Sequence, residues 1–473
     1  MLPSSRLAAF FDLPLAVIVG FLIWRSLDWP LVGDATIFHF IARQMQMGAV
    51  PYRDIVDVNM PLTYYLDLAV VTIGGTGDLA WRVFDLTAAA VAAVLILMLL
   101  WPAGPAAGLL AVLVVLATHL LLGPYMAGQR DFVMSIVALA AAVASATAAE
   151  AEQRRGLHLL LAGAAAMTAA AIKPTGVMLL LLPALATRLR WRDAAWIAAG
   201  AAIVAGLVAG TLAIAGSLGA FVTMTRTLLP LYGSLDVHSV PEVLASVYWI
   251  APAAGLAVAT LLNPGGAMPP RVRVMVGLTV FGLLHLLIQR KGWVYHLYPL
   301  AIGLACWGAW SLVALPMRRA SVCLLITAAT LVWVLPRSEI RRDMYPELRA
   351  ATAMQRALET HLSPGARVQM FDSDSGAFLA MTRAGMRQAT PYIQWFSLVL
   401  AGDSARRDFL ASLQANPPAA VLLTSDQWPR PSGFEAADDW PEFNAILTSR
   451  YELQQTGRDE RVAWRFYLRR AGE

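Results

Sequence analysis

Long apolar runs separated by short polar connections dominate the first 336 residues of the chain. Runs of about 18 or more apolar residues are long enough to cross the hydrocarbon core of a bilayer as a helix. Because several runs are short or joined by tight turns, the pattern predicts about 11 membrane-spanning helices, within a range of roughly 10 to 13. The predicted spans are 7–27, 81–101, 103–122, 132–149, 157–172, 174–187, 194–216, 242–262, 273–288, 297–316 and 319–336.

Arginine-bearing connections alternate with connections of other character along these runs. Cytoplasmic loops carry an excess of Lys and Arg, so we expect the arginine-bearing ones in the cytoplasm and the others outside. The connections expected in the cytoplasm are 150–156, 188–193, 263–273 and 317–319. The segment 28–80 and everything after residue 336 are then exterior. The run 61–75 is short and contains Asp67, so we expect a helix in the outer interface, with a short tilted span as the alternative.

The composition changes after Pro336, where charged residues become frequent. Short β-type runs alternate there with helical patterns, which predicts a small α/β domain. The β-type runs are 367–372, 419–425 and 461–470, and the helical patterns are 346–361 and 404–414. We therefore expect a transmembrane domain of residues 1–336, with a first periplasmic loop at 28–80, and an exterior α/β domain of residues 337–473.

The overall composition supports a membrane protein and excludes several other classes. The 473 residues are 58% hydrophobic and only 14% charged, whereas soluble chains are nearer a quarter charged. Cys306 and Cys323 both fall in apolar spans, so the sequence gives no disulfide framework. The net charge of +5 comes mostly from loop arginines and does not indicate a nucleic-acid partner.

The segment GDATIFHFIARQMQMGAVPYRDIVDVNMPLTYYL, residues 33–66, carries the densest candidate chemistry. Asp34 follows the first span and begins a helical pattern, so it could be a helix N-cap, a reactive carboxylate or both. Asp54 and Asp57 follow in a turn-rich stretch, where a solvated loop with Arg53 as salt partner is the structural alternative. Asp34 and Asp57 near one membrane surface could act on a hydroxyl nucleophile, one as general base and the other as orienting group or metal ligand.

Basic residues recur at the span ends that this topology places outside, against the positive-inside bias. Both lysines of the chain, Lys173 and Lys291, are among them. Snorkelling to lipid headgroups beside interface aromatic residues is the structural alternative. A lipid phosphate is the natural partner, because guanidinium binds it bidentately and ammonium binds it as a point charge. The residues assigned to such a phosphate site are Arg130, Lys173, Arg290, Lys291, Tyr295 and His296.

Three further histidines lie on predicted helices. His119 and His285 fall within spans, where we expect hydrogen-bonded packing residues. His39 lies on the loop helix and could face the site. Two aspartates and a histidine at this spacing do not make a metal motif.

The first-loop pattern of Gly-Asp, a helix, and then PYRD…D…N.P…YYL resembles the first periplasmic loop of the GT-C glycosyltransferases. These are polytopic enzymes that take a sugar from a polyprenyl-phosphate donor. The pattern is most similar to the bacterial branch related to aminoarabinose lipid A transferases and protein O-mannosyltransferases. GDLAWR at 77–82 resembles that branch's acid-x-x-x-Arg element, and GQRD, IKP and RKGWVYHLYP resemble later exterior motifs. Where aminoarabinose transferases have acid-Lys-Pro-Pro, this chain has Asp57-Val58-Asn59-Met60-Pro61, without the lysine.

The resemblance covers roughly residues 7–300 and implies a GT-C-like polytopic fold with an inverting glycosyltransferase activity. Such an enzyme of the bacterial inner membrane moves a sugar from polyprenyl phosphate to an acceptor hydroxyl on the periplasmic face. Its partners would be that donor, an envelope glycan, lipid or protein acceptor, and membrane lipid; no cofactor is assigned, and a divalent metal is a candidate. Asp34 and Asp57 would be catalytic. The candidate substrate-binding residues are Tyr52, Arg53, Asn59, Asp78 and Arg82.

Two other functions remain as alternatives at this point. A flippase or transporter of lipid-linked sugars would be expected to carry ionisable residues deep within its spans. A polymerase or ligase that uses a pyrophosphate-linked oligosaccharide would share the enzymatic class but differ in its donor.

Overall fold

The computed structural model describes residues 3–263, 268–338, 345–373, 375–425, 437–459 and 462–471. Residues 264–267 of the basic connection 263–273, and Arg461 of the last β-type run, lie outside the described residues. The chain forms two compact units. The first consists of Met1–Trp29, Arg82–Val208 and Val237–Arg341, and the second of Pro30–Trp81, Ala209–Asp236 and Arg342–Glu473. The division into domains 1–336 and 337–473 follows different boundaries and stays a prediction.

Helices account for most of the described residues up to residue 337. The α-helices outside the first loop are Pro3–Ser26, Asp78–Leu100, Pro105–Leu121, Arg130–Glu150, Arg155–Ile172, Leu182–Ala186, Trp191–Ile214, Leu218–Ser234, Val240–Ala245, Ala251–Leu261, Pro270–Gln289, Tyr298–Leu312 and Met317–Val334. Short 3₁₀ segments adjoin them at Trp101–Ala103, Pro124–Met126, Glu152–Arg154, Pro174–Leu181, Ser246–Ile250, Val294–Leu297 and Leu335–Arg337.

Within the described chain, eight helices are long and apolar enough to cross a membrane, judged by length and composition. Two shorter apolar helices, Pro105–Leu121 and Pro174–Ala186, coincide with two more predicted spans. The prediction of a polytopic α-helical protein is therefore confirmed, while the number of crossings stays a prediction. Large apolar side chains such as Phe10 (83% exposed) and Val332 (69% exposed) lie on the outside of the first unit. A bilayer solvates such side chains, whereas water would not.

Glycines allow two helices of the first unit to approach closely. A Cβ atom on Gly163 would lie 2.0 Å from the carbonyl oxygen of Ile197, and one on Gly200 would lie 1.9 Å from that of Leu160. The helices Arg155–Ile172 and Trp191–Ile214 thus meet backbone to backbone. Small residues commonly permit such contacts between membrane helices, where van der Waals packing replaces the hydrophobic driving force.

The second unit contains the sheet and the helices of the first loop. Its strands are β1 (Arg367–Phe371), β2 (Arg387–Gln388), β3 (Ala420–Thr424), β4 (Tyr451–Asp459) and β5 (Val462–Arg469). They form one sheet in the order β2-β1-β3-β5-β4, with β2, β1 and β3 parallel and β5 antiparallel to both β3 and β4. The helices, apart from Leu218–Ser234, are Asp34–Gln46, Pro61–Gly74, Pro346–His361, Ala377–Arg383, Trp395–Leu400, Gly402–Ala415 and Pro441–Arg450. The predicted small α/β fold is confirmed, although β2 and β4 were not predicted.

Hydrogen bonds join the first loop to the C-terminal residues inside this unit. The Gln44 amide donates to the carbonyl oxygen of Met386 (2.9 Å) and accepts from the backbone N–H of Gln388 (3.0 Å). The backbone N–H of Val56 donates to the carbonyl oxygen of Pro391 (2.8 Å). Because these bonds satisfy backbone groups on both sides, the loop has a defined conformation against the C-terminal residues.

Asp67 now has a structural explanation. It is buried on the helix Pro61–Gly74, and its Oδ1 lies 2.8 Å from Nδ1 of His39 on the neighbouring helix Asp34–Gln46. The edge of the Trp81 ring packs against His39 with a centroid distance of 4.9 Å. The orientation of the helix Pro61–Gly74 relative to a membrane stays a prediction.

We expect Gly200→Ala to lower the melting temperature of the purified protein in detergent. Alanine favours a helix more than glycine does, but the added methyl group would overlap the Leu160 carbonyl, and overpacking costs about 1–3 kcal/mol. Gly206→Ala on the same helix is the matched control, because no atom lies within 4 Å of its Cβ position. Equal melting temperatures for the two variants would show that the close approach does not exist.

Candidate functional site

Asp34 is the first residue of the helix Asp34–Gln46 and is half-buried. The N-cap is Gly33, whose φ of 62° lies in the left-handed region that glycine tolerates, and no side chain caps the helix. The carboxylate of Asp34 therefore stands in the first turn, where the helix dipole favours a negative charge. The N-cap role considered for Asp34 belongs to Gly33 instead.

Asp57 is buried (2% exposed) at the centre of a polar network in the same unit. Its Oδ2 accepts hydrogen bonds from the Tyr64 hydroxyl and from the Asn59 amide, both at 2.7 Å. The Tyr52 hydroxyl donates to the carbonyl oxygen of Asn59, also at 2.7 Å. Burial, and then the charge of Asp57, raise the pKa of Tyr52 well above its ordinary value, so this phenol stays a donor. The network fixes the orientation of the Asp57 carboxylate.

A cavity of about 460 Å³ opens beside this network, entirely within the second unit. This volume lies within the ~300–1,000 Å³ typical of small-molecule sites. Residues of the first loop, of the helix Leu218–Ser234 and of the C-terminal segment line it. Sequence reasoning had singled out Tyr52 and Asp57 among them as site residues, but none from the helix Leu218–Ser234 or from the C-terminal segment.

Arg53 and Asp78 contact other protein groups. Arg53 donates two hydrogen bonds to Asp54 (2.9 and 2.8 Å), which lower the pKa of that carboxyl. This is the salt pair expected for a solvated loop. Asp78 accepts from the backbone N–H of Leu31 (3.1 Å) and from Arg383 (3.2 Å).

Arg82 belongs to a buried network of the first unit. Its guanidinium, 1% exposed, contacts the Asp85 carboxylate and the Ser26 hydroxyl and lies 4.4 Å from the centre of the Trp29 ring. Asp85 also accepts from Nε2 of His119 (3.1 Å), whose Nδ1 lies 2.7 Å from the Tyr298 hydroxyl. His119 is thus a hydrogen-bonded packing residue, as expected. Asp85 was not foreseen, although it lies three residues after Arg82, a spacing that lets the two side chains pair on one helix.

Asp131 organises a second buried network, which includes Lys173 and His285. The Lys173 ammonium lies 2.9 Å from the Asp131 carboxylate and donates to Gln289 at 2.7 Å. Nε2 of His285 lies 2.8 Å from Asp131, and its Nδ1 lies 2.7 Å from the Thr175 hydroxyl. His285 is hydrogen-bonded, as expected. The charge of Lys173 is already compensated here, which sequence reasoning missed because Asp131 was not assigned a role.

Tyr295 and His296 lie beside this second network. The Lys173 ammonium stands 5.5 Å from the centre of the Tyr295 ring, and the His296 ring packs edge-on against both Tyr295 and His285. His296 is fully buried, and neither ring nitrogen has a hydrogen-bond partner among the described residues. Burial, followed by the charge of Lys173, lowers the pKa of His296 well below its ordinary value. His296 is therefore a neutral donor or acceptor rather than a cation.

The remaining basic residues of the predicted phosphate site lie at helix ends of the first unit. Arg130 begins the helix Arg130–Glu150 and acts electrostatically on His296. Arg290 ends the helix Pro270–Gln289 in the left-handed conformation and donates to the carbonyl oxygen of His238 (3.0 Å). Lys291 follows and is buried, 5% exposed.

The structure thus groups the candidates into two sets. Tyr52, Asp57 and Asn59 share one network, and Arg130, Lys173, Tyr295 and His296 share another neighbourhood. Within the described ranges, no group of three or more His, Cys, Asp or Glu side chains could hold a metal ion.

No protein-family model matches the sequence, and no curated protein gives a significant match. Solved structures do match. ArnT from Cupriavidus metallidurans bound to undecaprenyl phosphate aligns with a TM-score of 0.62 over 96% of this chain and 97% of that chain, at 12% identity. The chain has the GT-C fold.

Two other solved structures of this fold match over most of the chain. The archaeal oligosaccharyltransferase AglB from Archaeoglobus fulgidus, in complex with an inhibitory peptide and a dolichol-phosphate, gives a TM-score of 0.51 at 11% identity and covers 88% of this chain and 69% of that chain. Arabinofuranosyltransferase AftD from Mycobacteria gives 0.50 at 12% identity, over 99% of this chain but 42% of that chain. The GT-C resemblance, noted in the sequence for residues 7–300, therefore extends to the C-terminal residues.

We expect Asp85→Leu to destabilise the protein strongly. It leaves the Arg82 guanidinium buried without its ion-pair partner, a change that typically costs about 3–5 kcal/mol. The double variant Arg82→Met/Asp85→Leu removes both charges and should lose much less, as measured by chemical unfolding in detergent. Asp28→Leu, at an exposed position, is the control. Equal losses in the single and double variants would contradict the ion-pair interpretation of Arg82.

Proposed function

We propose that the protein is an inverting glycosyltransferase that moves a sugar from a polyprenyl-phosphate donor to an acceptor hydroxyl. The GT-C fold along nearly the whole chain, shared with ArnT bound to undecaprenyl phosphate, carries this proposal. We place the reaction at the periplasmic face of a bacterial inner membrane, in cell-envelope glycan or lipid modification. The arginine-bearing connections, which the positive-inside rule assigns to the cytoplasm, support that orientation.

The donor phosphate would bind at the basic residues of the first unit. Arg130, Arg290 and Lys291 would supply the positive charge, and neutral His296 would supply a hydrogen bond. Lys173 would act in one of two ways. It would stay paired with Asp131 and bind the phosphate as part of that pair, or it would leave Asp131 and pair with the phosphate instead. As the polyprenyl phosphate departs, its negative charge increases, so cations fixed in place stabilise the transition state more than the bound donor.

The acceptor hydroxyl would lose its proton to a carboxylate of the first loop. In the proposed step, the hydroxyl oxygen attacks the anomeric carbon, the bond from that carbon to the phosphate oxygen breaks, and the configuration inverts. The hydroxyl proton passes to Asp34, and the electron pair of the broken bond leaves with polyprenyl phosphate. Asp57, held by Tyr64 and Asn59, would orient the substrate, and Tyr52 would support that arrangement. The structure around these groups would be held in place by Arg53, Asp78 and Arg82, which would support the reaction indirectly.

A transporter of lipid-linked sugars is the second candidate, and one observation favours it. Asp12 is buried within the first helix, and neither of its carboxylate oxygens has a hydrogen-bond partner among the described residues. Such intramembrane carboxylates often mark transport pathways. Asp85 and Asp131 are also buried in apolar helices, but each is paired with a cation, which suits a structural role.

We expect Asp34→Asn to abolish transfer while the protein still folds. Asparagine keeps the shape of the side chain but removes its basicity, and a lost general base costs about 10²-fold or more in rate. The measurement is transfer of labelled sugar from the lipid-linked pool to envelope acceptors, at matched membrane levels. Asp28→Asn, at an exposed position, is the control. Wild-type transfer in Asp34→Asn would remove Asp34 from the mechanism, and lipid transport without any transfer would favour the second candidate.

We expect Arg290→Gln/Lys291→Gln to weaken binding of undecaprenyl phosphate. Each lost charge-assisted contact should cost about 1.5–3 kcal/mol, or about ten- to a hundredfold in affinity. Native mass spectrometry with added undecaprenyl phosphate measures this without knowledge of the sugar. Arg318→Gln is the matched control, because Arg318 is exposed at the start of another helix. Lys173 is kept, since its removal would leave Asp131 buried without its cation. Unchanged affinity would show that Arg290 and Lys291 make only ordinary contacts with lipid headgroups and do not bind the donor phosphate.

A further inference from the structure

The cavity of the second unit has one wall made by a single helix face. Five residues of the helix Leu218–Ser234 line it, and their spacing of three, one, three and one places them on one face. They are Ala220, Thr223, Met224, Thr227 and Leu228. Met224 and Leu228 are buried, whereas Thr223 and Thr227 are exposed. The face therefore combines an apolar floor with hydroxyl groups.

The rest of the cavity lining carries negative charge. Among the residues that line the cavity, Asp57 and Asp408 are the charged ones and none is basic. Asp408 lies on the helix Gly402–Ala415 and acts electrostatically on Tyr392, another lining residue. Two carboxylates without a neighbouring cation in the lining disfavour a phosphate and favour a neutral or positively charged ligand.

The Asp57 carboxylate is fixed in a way that leaves one oxygen for a ligand. Both hydrogen bonds that it accepts from Tyr64 and Asn59 end on Oδ2, so Oδ1 is the oxygen that can accept from a molecule in the cavity. Beside it, Tyr52 adopts a φ of 70°, which is unusual for an aromatic residue. Such strained conformations persist where the surrounding structure enforces them, and they cluster at binding sites.

We propose that this cavity binds a neutral or amino sugar. A pyranose combines ring hydroxyls, which donate to carboxylates and threonine oxygens, with an apolar ring face that packs on aromatic and aliphatic side chains. Asp57, Asp408, Thr223 and Thr227 match the first property, and Tyr52, Tyr392 and Met224 match the second. The sugar belongs either to the acceptor or to the lipid-linked donor, and this assignment rests on the proposed function.

The test is binding of methyl glycosides to the full-length protein in nanodiscs, followed by saturation-transfer NMR. We expect methyl glycosides of glucose, galactose, mannose or glucosamine to bind and methyl glucuronide to bind at least tenfold more weakly. Asp408→Asn should weaken the binding of the preferred glycoside about tenfold or more. Asp403→Asn, on the same helix but outside the cavity lining, should leave it unchanged.

Equal binding of methyl glucuronide, or full binding in Asp408→Asn, would overturn the inference, as would failure of all glycosides to bind. Competition by undecaprenyl-phosphoryl glucose then separates the two sources. Displacement of the glycoside assigns the cavity to the donor sugar, and simultaneous binding assigns it to the acceptor. If the protein binds glycosides but never transfers sugar, the proposed function is refuted, whereas the inference that the cavity binds a sugar is retained.

Discussion

A carboxylate buried among apolar helices needs a cation or several donors, because an isolated buried charge costs several kcal/mol. In the first unit, Asp131 meets this requirement with partners from distant parts of the chain, and Asp85 meets it with the nearby Arg82 and the distant His119. Lys173 and His285 are 42 and 154 residues from Asp131, and His119 is 34 residues from Asp85. Each pair can form in only one relative placement of its helices, so the pairs specify helix register where apolar contacts alone would tolerate sliding.

The same pairing changes the electrostatics of the proposed phosphate site. The Asp131–Lys173 pair carries no net charge, and His296 is neutral because burial and Lys173 lower its pKa. The positive charge offered to a phosphate would therefore come from Arg130, Arg290 and Lys291. The proposed phosphate site would then combine a neutral core with charge at the helix ends, and would orient a ligand through hydrogen bonds as well as attract it by charge.

Local patterns were sufficient to predict most of the long apolar helices and three strands, since hydropathy and strand periodicity are properties of neighbouring residues. The helix Leu218–Ser234, which lies between the predicted spans 194–216 and 242–262, was not predicted. Strand β4 was not predicted, because its residues after Tyr451 are mostly exposed and polar and the strand therefore lacks an alternating pattern. The network of Asp131 and the contact of Asp85 with His119 were not predicted, because these partners are far apart in sequence. Asp67 looked anomalous in an apolar run until its contact with His39 placed it in a packed interface. Asp34 and Asp57 could be selected from the sequence, but the cavity could not, because it is built from three separate segments.

A glycosyl transfer from a lipid phosphate needs two kinds of charged group. A departing phosphate requires cations and suffers from nearby carboxylates, whereas an attacking hydroxyl requires a carboxylate and gains nothing from a cation that lowers its basicity. The first unit contains the basic helix ends, and the second contains Asp34, Asp57 and a cavity without a basic lining residue. Within the second unit, the lining of the cavity carries Asp57 and Asp408 and no basic residue, so its chemistry suits a hydroxyl or an amino group better than a phosphate.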